Sequence, residues 1–153
     1  MVTAWRIVKK QHAARAFDGE GARIYGGRWN SPGVPVVYVA STRALAVLEM
    51  AVHLDRSRLL ASFVLIPCEF EERLVIVVDP GALPPQWRRD PAPPELARIG
   101  DLWVRQRQSA VLEVPSAVIE EERNFLLNPR HRQFSKISIG GPESFEFDPR
   151  LIK

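Results

Sequence analysis

Cysteine occurs once in the 153 residues, at Cys68, so no disulfide can close within the chain. A reducing compartment, the cytoplasm, is the expected setting. No apolar run approaches the ~20 residues that span a bilayer. The opening stretch MVTAWRIVKK lacks the apolar core of a secretory signal. The three histidines, His12, His53 and His131, are dispersed, and with a single cysteine they lack the spacing of a metal site. The string GEGARIYGG is not a dinucleotide fingerprint, because it does not stand between a strand and a helix in the required order. No internal repeat is visible. An excess of one sign of charge is also slight: the net value is +3, and the basic clusters (Arg88-Arg89, Arg130-His131-Arg132) are short. A basic interaction or nucleic-acid module would rest on that excess alone.

What is present is ordinary for a globular chain, with 46% hydrophobic and 25% charged residues. The length suits one domain over residues 1–153. Thirteen prolines outnumber nine glycines and gather in DPGALPPQWRRDPAPP, residues 79–94. That stretch reads as a rigid surface connection inside the domain. Glycines crowd residues 19–33, which predicts loop. Strands are expected at residues 5–8, 34–39, 63–70, 74–79, 110–114, 116–119, 124–128, 136–139 and 145–148. Two helices are expected, at 42–54 with Ser41 as its cap and at 94–108, where Gly100 weakens the middle. The pattern predicts an α+β domain of mixed or antiparallel sheets with few helices.

One residue does not match its surroundings. In ALAVLEMAV, residues 44–52, Glu49 is the only polar side chain. Leu45, Leu48 and Val52 define an apolar face, and at ~100° per residue Glu49 lies within roughly 40° of Leu45. A carboxylate turned toward a core costs several kcal/mol unless it is paired. Either Glu49 bridges to an arginine for structural reasons, or it faces a cleft and acts electrostatically. Arg28 in the glycine-rich loop, Tyr38 on the strand before the helix, and Arg6 on the first strand are positioned to converge on it. From the residues alone the reading stops at a candidate anion-binding cleft, with Tyr38 as a core residue and Arg28 as a surface arginine left open as alternatives.

The run GARIYGGRWNSPGVPVVYVASTRALAVLEMAVHL, with VPSAVI and NFLLNP later in the chain, resembles the RES-domain family. By motif match the arginine, glutamate and serine that name the family fall on Arg28, Glu49 and Ser116. Its tyrosine falls on Tyr38 and its early arginine on Arg6. The resemblance implies a fold similar to the ADP-ribosyltransferase fold. It also implies a bacterial toxin paired with an Xre-type antitoxin, within a complex in which the toxin is a homodimer. The implied activity consumes NAD at the nicotinamide–ribose bond. The acceptor is water (NAD glycohydrolase), phosphate (NAD phosphorylase) or, as an alternative, a protein (ADP-ribosyltransferase). NAD is then substrate, with phosphate as a candidate co-substrate, and no cofactor is required. Arg28, Tyr38 and Glu49 are the expected catalytic residues. Arg6, Ser116, Trp29 and Asn30 are expected to contact substrate. Ser116 is not expected to be a nucleophile, since no base stands beside it in sequence.

Overall fold

A computed structural model describes residues 1–151. Eight strands form one mixed sheet: β1 (Val2–Lys9), β2 (Val37–Ala40), β3 (Phe63–Phe70), β4 (Val75–Val77), β5 (Val111–Pro115), β6 (Arg123–Leu127), β7 (Ser138–Ile139) and β8 (Glu143–Phe145). Their order is β4-β5-β6-β2-β1-β3-β7, and β8 also pairs with β3. Only β4 and β5 run parallel; the other pairs are antiparallel. The expected α+β class with a mixed sheet and few helices is what is found. No helix among the described residues is long and apolar enough to cross a membrane.

Among the described residues three α-helices accompany the sheet rather than two: α1 (Glu20–Tyr25), α2 (Arg43–Ala51) and α3 (Pro94–Arg105). The first lies in the glycine-rich stretch predicted as loop. Six residues between Gly19 and Gly26 are too few to show a helical period. Thr42, not Ser41, caps α2, its hydroxyl accepting from the Leu45 amide at 3.0 Å. Residues 116–119 are not a strand but the start of the β5–β6 connection, which the Ser116 side chain folds over itself. Within residues 34–39 only the second half is strand, and the last strand sits earlier than 145–148. Pro35 denies the first of these a ladder donor. The proline-rich stretch is indeed a long connection, running from β4 to α3.

The sheet buries both faces. On one, Val37, Val39, Phe125, Leu127 and Val111 alternate inward. On the other, Leu112, Val114 and Leu126 pack under Trp103, Leu96 and Trp29. Helix α2 lays Leu45 and Ala46 against Ile7, Ala40 and Leu65. The decisive irregularity is between β1 and β2, which share one register pair, Trp5 opposite Ala40. By contrast β1 and β3 pair along their full lengths. The two central strands therefore part beyond that pair, and a space opens between them.

Candidate active site

Arg6 reaches across the gap. Its Nη1 donates to the Tyr38 carbonyl of β2 at 3.2 Å, and its Nε donates to the Ala16 carbonyl at 3.0 Å. The guanidinium thus replaces ladder bonds that the parted strands cannot make. Desolvation pushes it down to about 10, while Asp18 and Tyr38 pull it back up. At neutral pH it is still a cation. Neither Arg6 nor Arg28 has a carboxylate within ion-pair distance among the described residues.

Beside that gap lies a cavity of about 530 Å³. Arg6, Arg28, Trp29, Tyr38 and Glu49 all line it, so five of the seven expected residues meet there. Arg28 is half-buried, and its Nη1 donates to the carbonyls of Trp87 and Arg89 at 2.9 and 3.0 Å. It therefore pins the proline-rich connection to the cavity edge with one nitrogen and leaves the others for a ligand.

Glu49 resolves the question its helix posed. Leu48 and Val52 are exposed, at 38% and 59%, so the inward face is not the one expected. Leu45, Ala46, Glu49 and Met50 form it instead. Among the described residues no arginine bridges Glu49. Its Oε1 accepts from the Ser116 hydroxyl at 2.6 Å and from the Asn124 amide nitrogen at 2.7 Å. Both bonds fall on the same oxygen. Ser116 is fully buried, and its Oγ accepts from the amides of Val118 and Ile119 at 3.1 and 3.0 Å. With its acceptor capacity used, its one proton must point at Glu49. Ser116 is absent from the cavity wall. It stands behind the carboxylate, one hydrogen bond away from the cavity.

Asn30 likewise stands off the cavity wall and is 2% exposed. Its amide nitrogen donates to the carbonyls of Ala22 and Val34 at 2.8 and 2.9 Å, and its oxygen accepts from the Tyr38 hydroxyl at 2.6 Å. The Tyr38 oxygen in turn accepts from the Trp29 amide at 3.1 Å. Burial pushes the Tyr38 hydroxyl well above its ordinary value, so it stays neutral. Its proton is committed to Asn30, which leaves the ring as the face offered to the cavity. Gly27 belongs to this clasp: a Cβ there would stand 2.8 Å from the Tyr38 oxygen. Trp29 is 3% exposed and packs on Leu96 and Trp103 while lining the cavity.

Sequence reasoning missed Asn124, Trp5, Tyr25, Met50 and His53 on the cavity wall. Asn124 was read only as the edge of an apolar strand. Its register, opposite Ala40 and Val114, is what carries it to the site. His53 stands one helical turn beyond Glu49, a spacing that was available in the sequence. Trp5 also stacks under the Arg43 guanidinium, 3.7 Å from the ring centre. Among the described residues no three His, Cys, Asp or Glu side chains gather as a metal site.

The arrangement is a cavity with a clamped carboxylate, two cations without carboxylate partners among the described residues, and aromatic walls. Such a set suits a ligand that carries phosphate, sugar and a flat ring.

The RES domain matches residues 3–148. A protein of Yersinia enterocolitica named Toxin Res is 43% identical over 148 residues, covering 96% of this chain and 97% of that protein. A Sphingobium protein named Prs ADP-ribosylating toxin is 38% identical over 154 residues, covering 97% and 96%. A chain in the crystal structure of the M. tuberculosis MbcT–MbcA toxin–antitoxin complex shares the fold, with a TM-score of 0.78 at 19% identity over 99% of this chain and 86% of that one. With the domain matched almost end to end and relatives this similar along their whole lengths, the chain belongs to the RES-domain family.

Proposed function

We propose that this chain is the toxin of a toxin–antitoxin pair and that it breaks the nicotinamide–ribose bond of NAD. The carrying observation is the Glu49 carboxylate, held through one oxygen by two donors while its other oxygen has no hydrogen bond among the described residues. When the bond breaks, its electron pair leaves with nicotinamide and positive charge spreads over the ribose. A fixed carboxylate stabilises that charge as it forms. Arg6 and Arg28 suit the pyrophosphate, and the Tyr38 and Trp29 rings suit the flat bases. An acceptor oxygen then bonds the ribose carbon and releases its proton. The names of the relatives support the toxin reading.

Purified protein incubated with NAD, with and without phosphate, tests this. Free nicotinamide is expected. ADP-ribose marks water as acceptor and its 1″-phosphate marks phosphate. Intact NAD in both incubations contradicts the proposal. The partner is an antitoxin protein, of the Xre type, and the toxin is a homodimer in that complex; co-expression followed by mass measurement of the purified assembly checks both. A second reading is favoured by the name of the Sphingobium relative: transfer of ADP-ribose to a protein. Labelled NAD would then mark a protein band, and label confined to free ADP-ribose speaks against it.

A further inference from the structure

We infer that Asn124 is a positioning residue for Glu49, fixing which carboxylate oxygen faces the substrate. The inference rests on the reading of Glu49 as the charge-stabilising group. Two donors from separate elements meet on Oε1: Ser116 from the β5–β6 connection and Asn124 from β6. One donor would leave the carboxylate free to swing about its bond to the chain. Two donors on one oxygen fix both its place and its plane, and the second oxygen is left for the cavity.

The orientation of the Asn124 amide follows from chemistry. Its nitrogen must face Glu49, because the oxygen would meet another acceptor at 2.7 Å. That choice leaves Oδ1 buried with no partner among the described residues. A buried acceptor without a donor is rare in folded proteins and calls for a reason. The strand does not supply one. Asn124 sits between Ala40 and Val114, where an apolar side chain would suit the sheet. The hydrogen bond to Glu49 is what the side chain does there.

Two variants separate positioning from plain packing. Asn124→Ala removes the donor. Asn124→Asp keeps the shape but sets a carboxylate against a carboxylate. With positioning, Asn124→Ala lowers kcat about 10- to 100-fold, the scale of a misplaced catalytic group, while KM stays within a few fold. Asn124→Asp falls further still. Its deficit against wild type widens as pH rises from 6 to 8, because a proton shared by the two carboxylates is lost. With packing alone the order reverses, since the isosteric change is the milder one, and the ratio is flat with pH; that outcome overturns the inference. Crystal structures of both variants supply a readout that needs no turnover. The Glu49 carboxylate is expected to lose its single orientation in each, pivoting on the Ser116 bond in Asn124→Ala and turning away from the added carboxylate in Asn124→Asp. If it keeps its place in both, Asn124 does not position it, whatever the kinetics. Should wild type release no nicotinamide, the proposed reaction fails by itself, and the crystallographic comparison still decides the role of Asn124.

Discussion

At the scale of single residues, hydrogen-bond capacity decides what each group can do. The Tyr38 hydroxyl gives its proton to Asn30 and takes one from the Trp29 amide. Tyr38→Phe therefore leaves a buried amide and a buried amide oxygen unpaired, at a cost of about 1–3 kcal/mol. Denaturant unfolding is expected to show that loss, and an unchanged midpoint would mean the clasp is not formed in solution. Cys68 is 1% exposed, and burial pushes its thiol up to about 12. The thiolate is the reactive form, so an alkylating reagent at pH 8 is expected to spare the folded protein and label it only in strong denaturant. Glu49 was legible in the sequence because a lone carboxylate contrasts with eight apolar neighbours. Asn124 was not, since an asparagine at the end of NFLL looks like a strand boundary, and only the register across three strands brings it to Glu49.

Elements show where local pattern loses to tertiary contact. In α2 the apolar residues surround the whole helix, so periodicity placed Leu48 and Val52 inside when Ala46 and Met50 face inward. A helix without contrast has no readable face. α3 runs unbroken through Gly100, and the glycine there has a packing reason. The helix crosses the Trp29 backbone so closely that a Cβ at Gly100 would stand 1.7 Å from the Trp29 carbonyl oxygen. Gly100→Ala improves helix propensity by about 1 kcal/mol, yet the overlap forces α3 and the Arg28–Trp29 loop apart. A net loss of roughly 1–3 kcal/mol is expected, with weaker NAD binding because Arg28 adjoins the displaced carbonyl. A thermal melt at or above the wild-type midpoint would contradict this contact. The same crossing lets Asp101 accept from the Ser31 amide at 2.8 Å, tying α3 to the loop a second time.

For the whole molecule, the parting of β1 from β2 makes the site, and nothing in either strand's sequence announces it. Both read as sound strands, and both are. The separation comes from the Arg6 side chain lying between them and from the glycine-rich loop packed beside it. The fold class, by contrast, was open to reading from strand spacing, because short apolar runs between turn signals persist in any register. Arg6 carries charge across the ordinary pH range. Its folded value near 10 lies below the ordinary 12.5, so the unfolded chain binds the proton more tightly between these values. Stability linked to Arg6 therefore rises only as pH climbs through that alkaline window, while at neutral pH the desolvation cost of the cation is present in full and does not change with pH. A half-buried cation without a carboxylate partner among the described residues is stabilised by an anionic ligand, so inorganic pyrophosphate is expected to raise the melting temperature. No shift at saturating pyrophosphate would argue against an anion site between Arg6 and Arg28.

The account depends most on the charge of Glu49. Glu49→Gln keeps an oxygen that can accept from both Ser116 and Asn124, so shape and clamp survive while the charge is removed. Nicotinamide release from NAD by this variant is the direct measurement. With the melting temperature within a few degrees of wild type, kcat is expected to fall about 10²- to 10³-fold, the scale of a lost electrostatic stabiliser. A variant that releases nicotinamide at the wild-type rate would show that the carboxylate holds the structure together and takes no part in the chemistry.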